Sequence, residues 1–157
     1  MAQDSHQSSY TYTVLCRLDN KSCFGCCGRR FGSKEKVLAV IEKSTQELIQ
    51  IKDRWDFRMR AKPSDLHEGT CRNLVFDQKK EKVFCPLHPL QNNGVDLRVG
   101  HCDFNFLCTT AKKFETWNRE KQQSFIQLLR SKNVDVYEYS MGMDKDLFLK
   151  EFEQANP

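Results

Sequence analysis

No run of about 18 consecutive apolar residues occurs anywhere in the chain, so no membrane-spanning helix is expected. The first twelve residues, Met1 to Tyr12, are polar and lack the apolar stretch of a secretory signal. They read as a flexible tail, 1–12, ahead of one domain, 13–157. No internal repeat and no low-complexity segment is present, which excludes solenoid and linker architectures. Cysteine is absent after Cys108. Eight cysteines among 157 residues fall short of the ~8–10% that marks a secreted disulfide scaffold. With no signal, a reducing cytoplasm is the expected compartment, and clustered thiols there read as ligands rather than disulfides.

What is present fits one globular domain. The chain is 39% hydrophobic and 29% charged, and its mean hydropathy of −0.67 leaves a lean core. The formal net charge of +4 would be offset if several cysteines ionise, so it does not argue for nucleic acid. From Lys34 to Lys52, Val37, Leu38, Ile41, Leu48 and Ile49 recur at helical spacing, with Ser33 as N-cap. Trp55, Phe57 and Met59 alternate as a short strand would. Pro63 to Gly69 is a turn region, and Cys71–Phe76 with Lys82–Cys85 predicts a hairpin. Pro86 to Asn93 is a loop. A second long helix is expected from Thr110 to Lys132, with Phe114, Trp117, Phe125, Leu128 and Leu129 on its apolar side and Asn133 ending it. Val134 to Tyr137 suggests a strand, and Asp144 is placed to cap a final helix carrying Leu147, Phe148 and Phe152. The fold class is therefore α+β: two long helices and a shorter C-terminal helix around a small antiparallel sheet, with a cysteine-rich metal-site region.

The chemistry lies in the cysteines. In Cys23-Phe24-Gly25-Cys26-Cys27-Gly28, two intervening residues let Cys23 and Cys26 turn to one ion at about 2.3 Å, the zinc–sulfur distance. Gly25 and Gly28 allow the tight backbone such a knuckle needs. Cys26 and Cys27 are adjacent, and their side chains diverge. Either one of them is structural, or the two serve different metals. A second group comprises Cys71, Cys85 and Cys102, with Cys108 close behind. Cys85-Pro86-Leu87-His88-Pro89 is a stiff loop that holds a ligand with little entropy left to lose. The candidate metal ligands are thus Cys23, Cys26, Cys27, Cys71, Cys85, Cys102 and Cys108. Cys16 reads as a small core residue, and His88 and His101 read as hydrogen-bonding partners rather than direct ligands. His6 and His67 read as exposed.

Together these residues resemble the bacterial cysteine-cluster proteins named for a zinc- or iron-chelating domain. The resemblance runs through Cys23 to Cys27, Gly69-Thr70-Cys71, Cys85 to Pro89, and Cys102. Two positions depart from that pattern. Asp19 or Asn20 stands where the family carries a further cysteine, and His88 precedes Pro89 where the family has arginine. Some relatives carry the cluster within flagellin lysine methylases, but nothing in this chain supports a methyltransferase core. The resemblance implies metal chelation and no assured catalytic activity.

The leading expectation is a protein that binds zinc, or iron as an iron–sulfur cluster, through these thiolates. Two other readings stay open. One is a thiol-redox or metal-dependent enzyme, with His88 and His101 as proton carriers and only Asp19, Asp77, Asp96 and Asp103 as nearby carboxylates. The other is a zinc-stabilised nucleic-acid module that uses Arg29, Arg30, Lys34 and Lys36, although these cations equally balance thiolate charge. A metal ion is the expected partner, with neither membrane nor nucleic acid expected.

Overall fold

A computed structural model of the chain describes residues 13–102 and 106–156. The expected tail 1–12, together with Asp103, Phe104 and Asn105, lies outside the described residues. Among the described residues the chain forms six α-helices and three two-stranded antiparallel sheets, an α+β arrangement in which helix predominates. None of the described helices is long and apolar enough to cross a membrane.

Ser33 starts the first helix as its composition predicts. Its hydroxyl accepts the Lys36 N–H at 3.4 Å, and α1 runs Lys34–Ile51 with Val37 and Ile41 buried. The buried Ser44 hydroxyl donates to the Arg72 carbonyl at 2.7 Å, and Thr45 accepts the Phe76 N–H at 2.9 Å. Through these two hydroxyls α1 grips the segment that carries Cys71. Beside them Arg72 reaches both Glu47 and Asp65 at 3.2 Å.

The alternating Trp55, Phe57 and Met59 do not form a strand. Asp53 accepts the Asp56 N–H at 2.9 Å and starts a short helix, α2 (Arg54–Met59), in which only Phe57 is buried. A local cap overrides the period-two pattern here.

The strands are minimal. β1 (Arg17–Leu18) pairs with β2 (Lys21–Ser22), β3 (Leu66–His67) with β4 (Thr70–Cys71), and β5 (Val75–Phe76) with β6 (Val83–Phe84). The expected hairpin is thus present but shorter, and Cys71 belongs to the preceding strand pair. Two-residue strands are too short to hold a sheet by themselves. Side-chain bonds tie them instead, such as the buried Ser22 hydroxyl, which accepts the Val83 N–H at 2.9 Å.

The second long helix divides in two. α3 spans Thr109–Thr116 and α4 spans Arg119–Ser131. Asn118 accepts the Lys121 N–H at 2.8 Å and restarts the helix, while Trp117, in extended backbone, packs on Phe114, Phe125 and Phe152. The strand expected over Val134–Tyr137 is replaced by α5 (Val136–Asp144), because Asp135 and Glu138 close a capping box. Asp144 consequently ends α5 and caps nothing. The last helix, α6 (Leu147–Ala155), follows Asp146, whose backbone is left-handed and whose carboxylate accepts the Thr110 hydroxyl at 2.7 Å.

Two apolar clusters carry most of the core. One gathers Leu15 and Leu18 with Phe114, Phe125, Leu129, Tyr139, Met143, Phe148 and Phe152 from the C-terminal helices. The other sets Val37 and Ile41 of α1 against Phe24, Leu74, Val83, Val136 and Met141. Fully burying one such Phe, Leu or Met contributes about 1.5–3 kcal/mol. The cysteines lie along both clusters: Cys23 rests on the first, and Cys27, Cys71 and Cys85 on the second.

Candidate metal centre

The hairpin β1–β2 brings the first two thiols together. Arg17 faces Ser22 in the register, and the Cys23 N–H donates to the Cys16 carbonyl at 3.0 Å. That bond continues the register one position past the last ladder pair, where Cys16, the end of a 3-10 turn (Val14–Cys16), stands opposite Cys23. Residues so opposed hold their Cβ atoms roughly 4.5–5.5 Å apart on one face. Two sulfurs on one tetrahedral zinc stand about 3.8 Å from each other, so facing cysteines meet that bite with ordinary side-chain rotation. Cys16, expected as a core residue, thus stands beside an expected ligand, and its signal was the hairpin register.

The knuckle that follows is fastened to α5. The Gly25 N–H points at the Cys23 sulfur at 3.3 Å, and the Cys27 N–H donates to the Phe24 carbonyl at 2.8 Å. The Phe24 N–H donates to the Ser140 hydroxyl at 3.0 Å, and that hydroxyl donates to the Val136 carbonyl. A Cβ at position 25 would stand 3.0 Å from the Ser140 carbonyl oxygen. Glycine is what lets the knuckle lie flat on the helix.

The second facing pair is long-range. Gly28 bridges Thr70 in antiparallel sense, the Cys71 N–H donates to the Cys27 carbonyl at 2.9 Å, and the Arg29 N–H donates to the Gly69 carbonyl at 2.9 Å. Cys27 and Cys71 are therefore opposed as Cys16 and Cys23 are. A Cβ on Gly28 would stand 2.1 Å from the Gly69 carbonyl oxygen, and one on Gly69 would stand 2.4 Å from that of Arg29. Only two glycines permit this approach.

Backbone N–H groups converge on other sulfurs as well. Cys71 accepts from Asn73 at 3.4 Å, Cys85 from Leu87, and Cys108, the N-cap of α3, from Ala111 at 3.4 Å. In Cys23, Cys71 and Cys85 the donor is the residue two positions on, an arrangement that favours a thiolate over a thiol. All eight cysteines are free, with Cys26 and Cys102 exposed and the other six partly buried.

The Cys26 and Cys27 side chains, expected to diverge, instead turn the same way at the 25–27 turn, and their sulfurs stand 4.0 Å apart. Their contact draws the Cys26 thiol below its ordinary value, with its own backbone N–H and the Arg98 charge assisting, and raises Cys27. Burial pushes Cys16 and Cys102 up to about 11 and Cys85 to about 12. Cys23, Cys71 and Cys108 are raised by burial too. Arg98, held by Asp96 at 2.8 Å, adds its charge near Cys26, Cys85 and Cys102. Cysteine spacing gave no hint of this arginine.

The histidines stand differently. His88 accepts the Leu90 N–H at 3.1 Å, and burial with the Arg98 charge lowers its imidazole to about 4. His101 is buried, and neither ring nitrogen has a hydrogen-bond partner among the described residues. Besides burial, the charges of Arg58 and Arg60 lower its imidazole, with Asp65 opposing them. Sulfur is thus the donor set this region presents.

Among the described residues, no group of three or more His, Cys, Asp and Glu side chains is placed to hold a metal ion. Thiols with inward-pointing backbone N–H groups are the donor type that a thiophilic cation takes. Comparison with protein-family models, curated proteins and solved structures finds no match to this chain.

Proposed function

We propose that this chain is a metal-binding protein of the reducing cytoplasm that holds zinc, or iron, through clustered cysteine thiolates. The observation that carries the reading is the double opposition of thiols, Cys16 with Cys23 and Cys27 with Cys71, each set by backbone hydrogen bonds. The likeness to the zinc- or iron-chelating cysteine-cluster proteins points the same way. A metal would supply Lewis-acid cross-linking between chain segments that have little regular structure of their own.

That role answers a physical need. The cysteine-bearing part of the chain is built on two-residue strands, and one of the apolar clusters that Cys85 touches has just three buried members, Phe57, Val75 and Leu87. Cross-linking such segments through a cation contributes folding free energy directly.

Elemental analysis of protein purified anaerobically without added metal tests the reading. Stoichiometric zinc in a colourless protein, or iron with sulfur-to-iron charge-transfer absorption, is the expected result. A chain that folds cooperatively with neither metal, and takes up none on reconstitution, would sink it.

A further inference from the structure

We infer that the eight cysteines form two separate four-sulfur sites, Cys16, Cys23, Cys26 and Cys108 around one cation and Cys27, Cys71, Cys85 and Cys102 around a second. The inference rests on the metal-binding reading above and extends it to the number of ions and the membership of each site.

The partition starts from Cys26 and Cys27. Their sulfurs stand in contact at 4.0 Å, so what separates the two is the set of partners that each one's backbone faces. Each of the two has its own neighbourhood. Cys26 completes the knuckle with Cys23, and Cys23 faces Cys16 across the β1–β2 ladder. Cys27 leaves the knuckle on the other side, where the Gly28–Thr70 bridge sets it against Cys71.

The apolar surroundings divide along the same line. Cys23 packs on the cluster of Leu15, Leu18 and Phe125, while Cys27, Cys71 and Cys85 pack on that of Val37, Ile41 and Leu74, with α5 contributing to both. Charge supports the division. Cys16, Cys23, Cys26 and Cys108 each lie within electrostatic range of the other three. Cys71 is similarly coupled to Cys27, Cys85 and Cys102, and Cys85 to Cys27. Cys26 borders both groups, as a residue in a shared wall must.

Each group contains one exposed thiol, Cys26 or Cys102, with three partly buried ones. Each also unites distant segments: the first joins the N-terminal hairpin to the start of α3, the second joins the knuckle to β4, the end of β6 and the loop before residue 103. Four thiolates and a divalent ion carry about −2, so two such sites offset the chain's formal +4.

Native mass spectrometry of the wild-type chain reconstituted with zinc supplies the test. Two zinc ions per chain are expected. Cys16→Ser and Cys108→Ser should each retain one, and Cys71→Ser and Cys85→Ser should each retain the other. A wild-type count of one, or a count of two that survives Cys16→Ser, overturns the partition while metal binding stands. A count of zero overturns the underlying reading. Alkylation of the wild type gives an answer that needs no variant to fold. Cys16 and Cys108 should be blocked as fully as Cys23 and released together by chelator. Labelling of either before chelator is added overturns their membership.

Discussion

At the scale of single residues, the cysteine region depends on glycines as much as on sulfur. Gly28 and Gly69 sit where any side chain would enter a facing carbonyl oxygen, at 2.1 Å and 2.4 Å respectively. Gly28→Ala should therefore separate Cys27 from Cys71 and destabilise the fold by about 3 kcal/mol. Urea titration of the variant checks the stability, and metal analysis should show a parallel loss. An alanine variant with unchanged midpoint and metal content would mean that the close approach has no consequence. Part of this was legible in the sequence. Cys23-Phe24-Gly25-Cys26 announces a knuckle because its ligands are neighbours along the chain. The pairing of Cys16 with Cys23 was not announced. A cysteine seven residues away reads as core until the Asp19 turn and the Arg17–Ser22 register bring it back.

At the scale of elements, caps decided where pattern misled. Asp53 turned an expected strand into α2, Asn118 divided an expected long helix into α3 and α4, and Asp135 started α5 where a strand was expected. Apolar periodicity over four or five residues fits helix and strand alike, so one side-chain oxygen accepting one otherwise unpaired N–H at the helix start settles the matter. The Asp135 cap also bears on the knuckle, because α5 presents Ser140 to Phe24. Asp135→Ala should cost about 1 kcal/mol, measured by thermal denaturation at neutral pH. Burial works to raise the Asp135 carboxyl, but the Glu138 N–H and the Lys34 ammonium prevail and hold it below the ordinary carboxylate value. A depressed value means that this contribution is fully present above about pH 4. It fades as the pH falls through the folded-state value. The gap between wild type and Asp135→Ala should therefore narrow on acidification, and a gap that widens would contradict the cap's charged character.

At the scale of the whole molecule, order is unevenly supported. The C-terminal helices share a dense apolar cluster, with Phe125, Leu129 and Tyr139 fully buried. The cysteine-bearing segments border these clusters but have only two-residue strands and isolated hydrogen bonds of their own, which the proposed metals would tie together. Chelation should then lower the melting temperature and open the chain locally. Hydrogen exchange followed by mass spectrometry should show amides of 17–32 and 66–102 losing protection several-fold more than those of α4 and α6. Equal loss everywhere, or none, would remove the metals from this structural role.

The amino-acid sequence by itself determined the α+β class, the first helix with its Ser33 cap, and the tight turn around Gly25. Each depends on interactions between residues three or four apart, which a linear pattern displays. Only the tertiary structure decided which thiol faces which, how far the hairpins extend, and that Arg98 stands among the sulfurs. The facing of Cys27 and Cys71 depends on a backbone approach between segments far apart along the chain, permitted by the absence of a Cβ at Gly28 and Gly69. No local spacing records what a missing side chain will be used to approach.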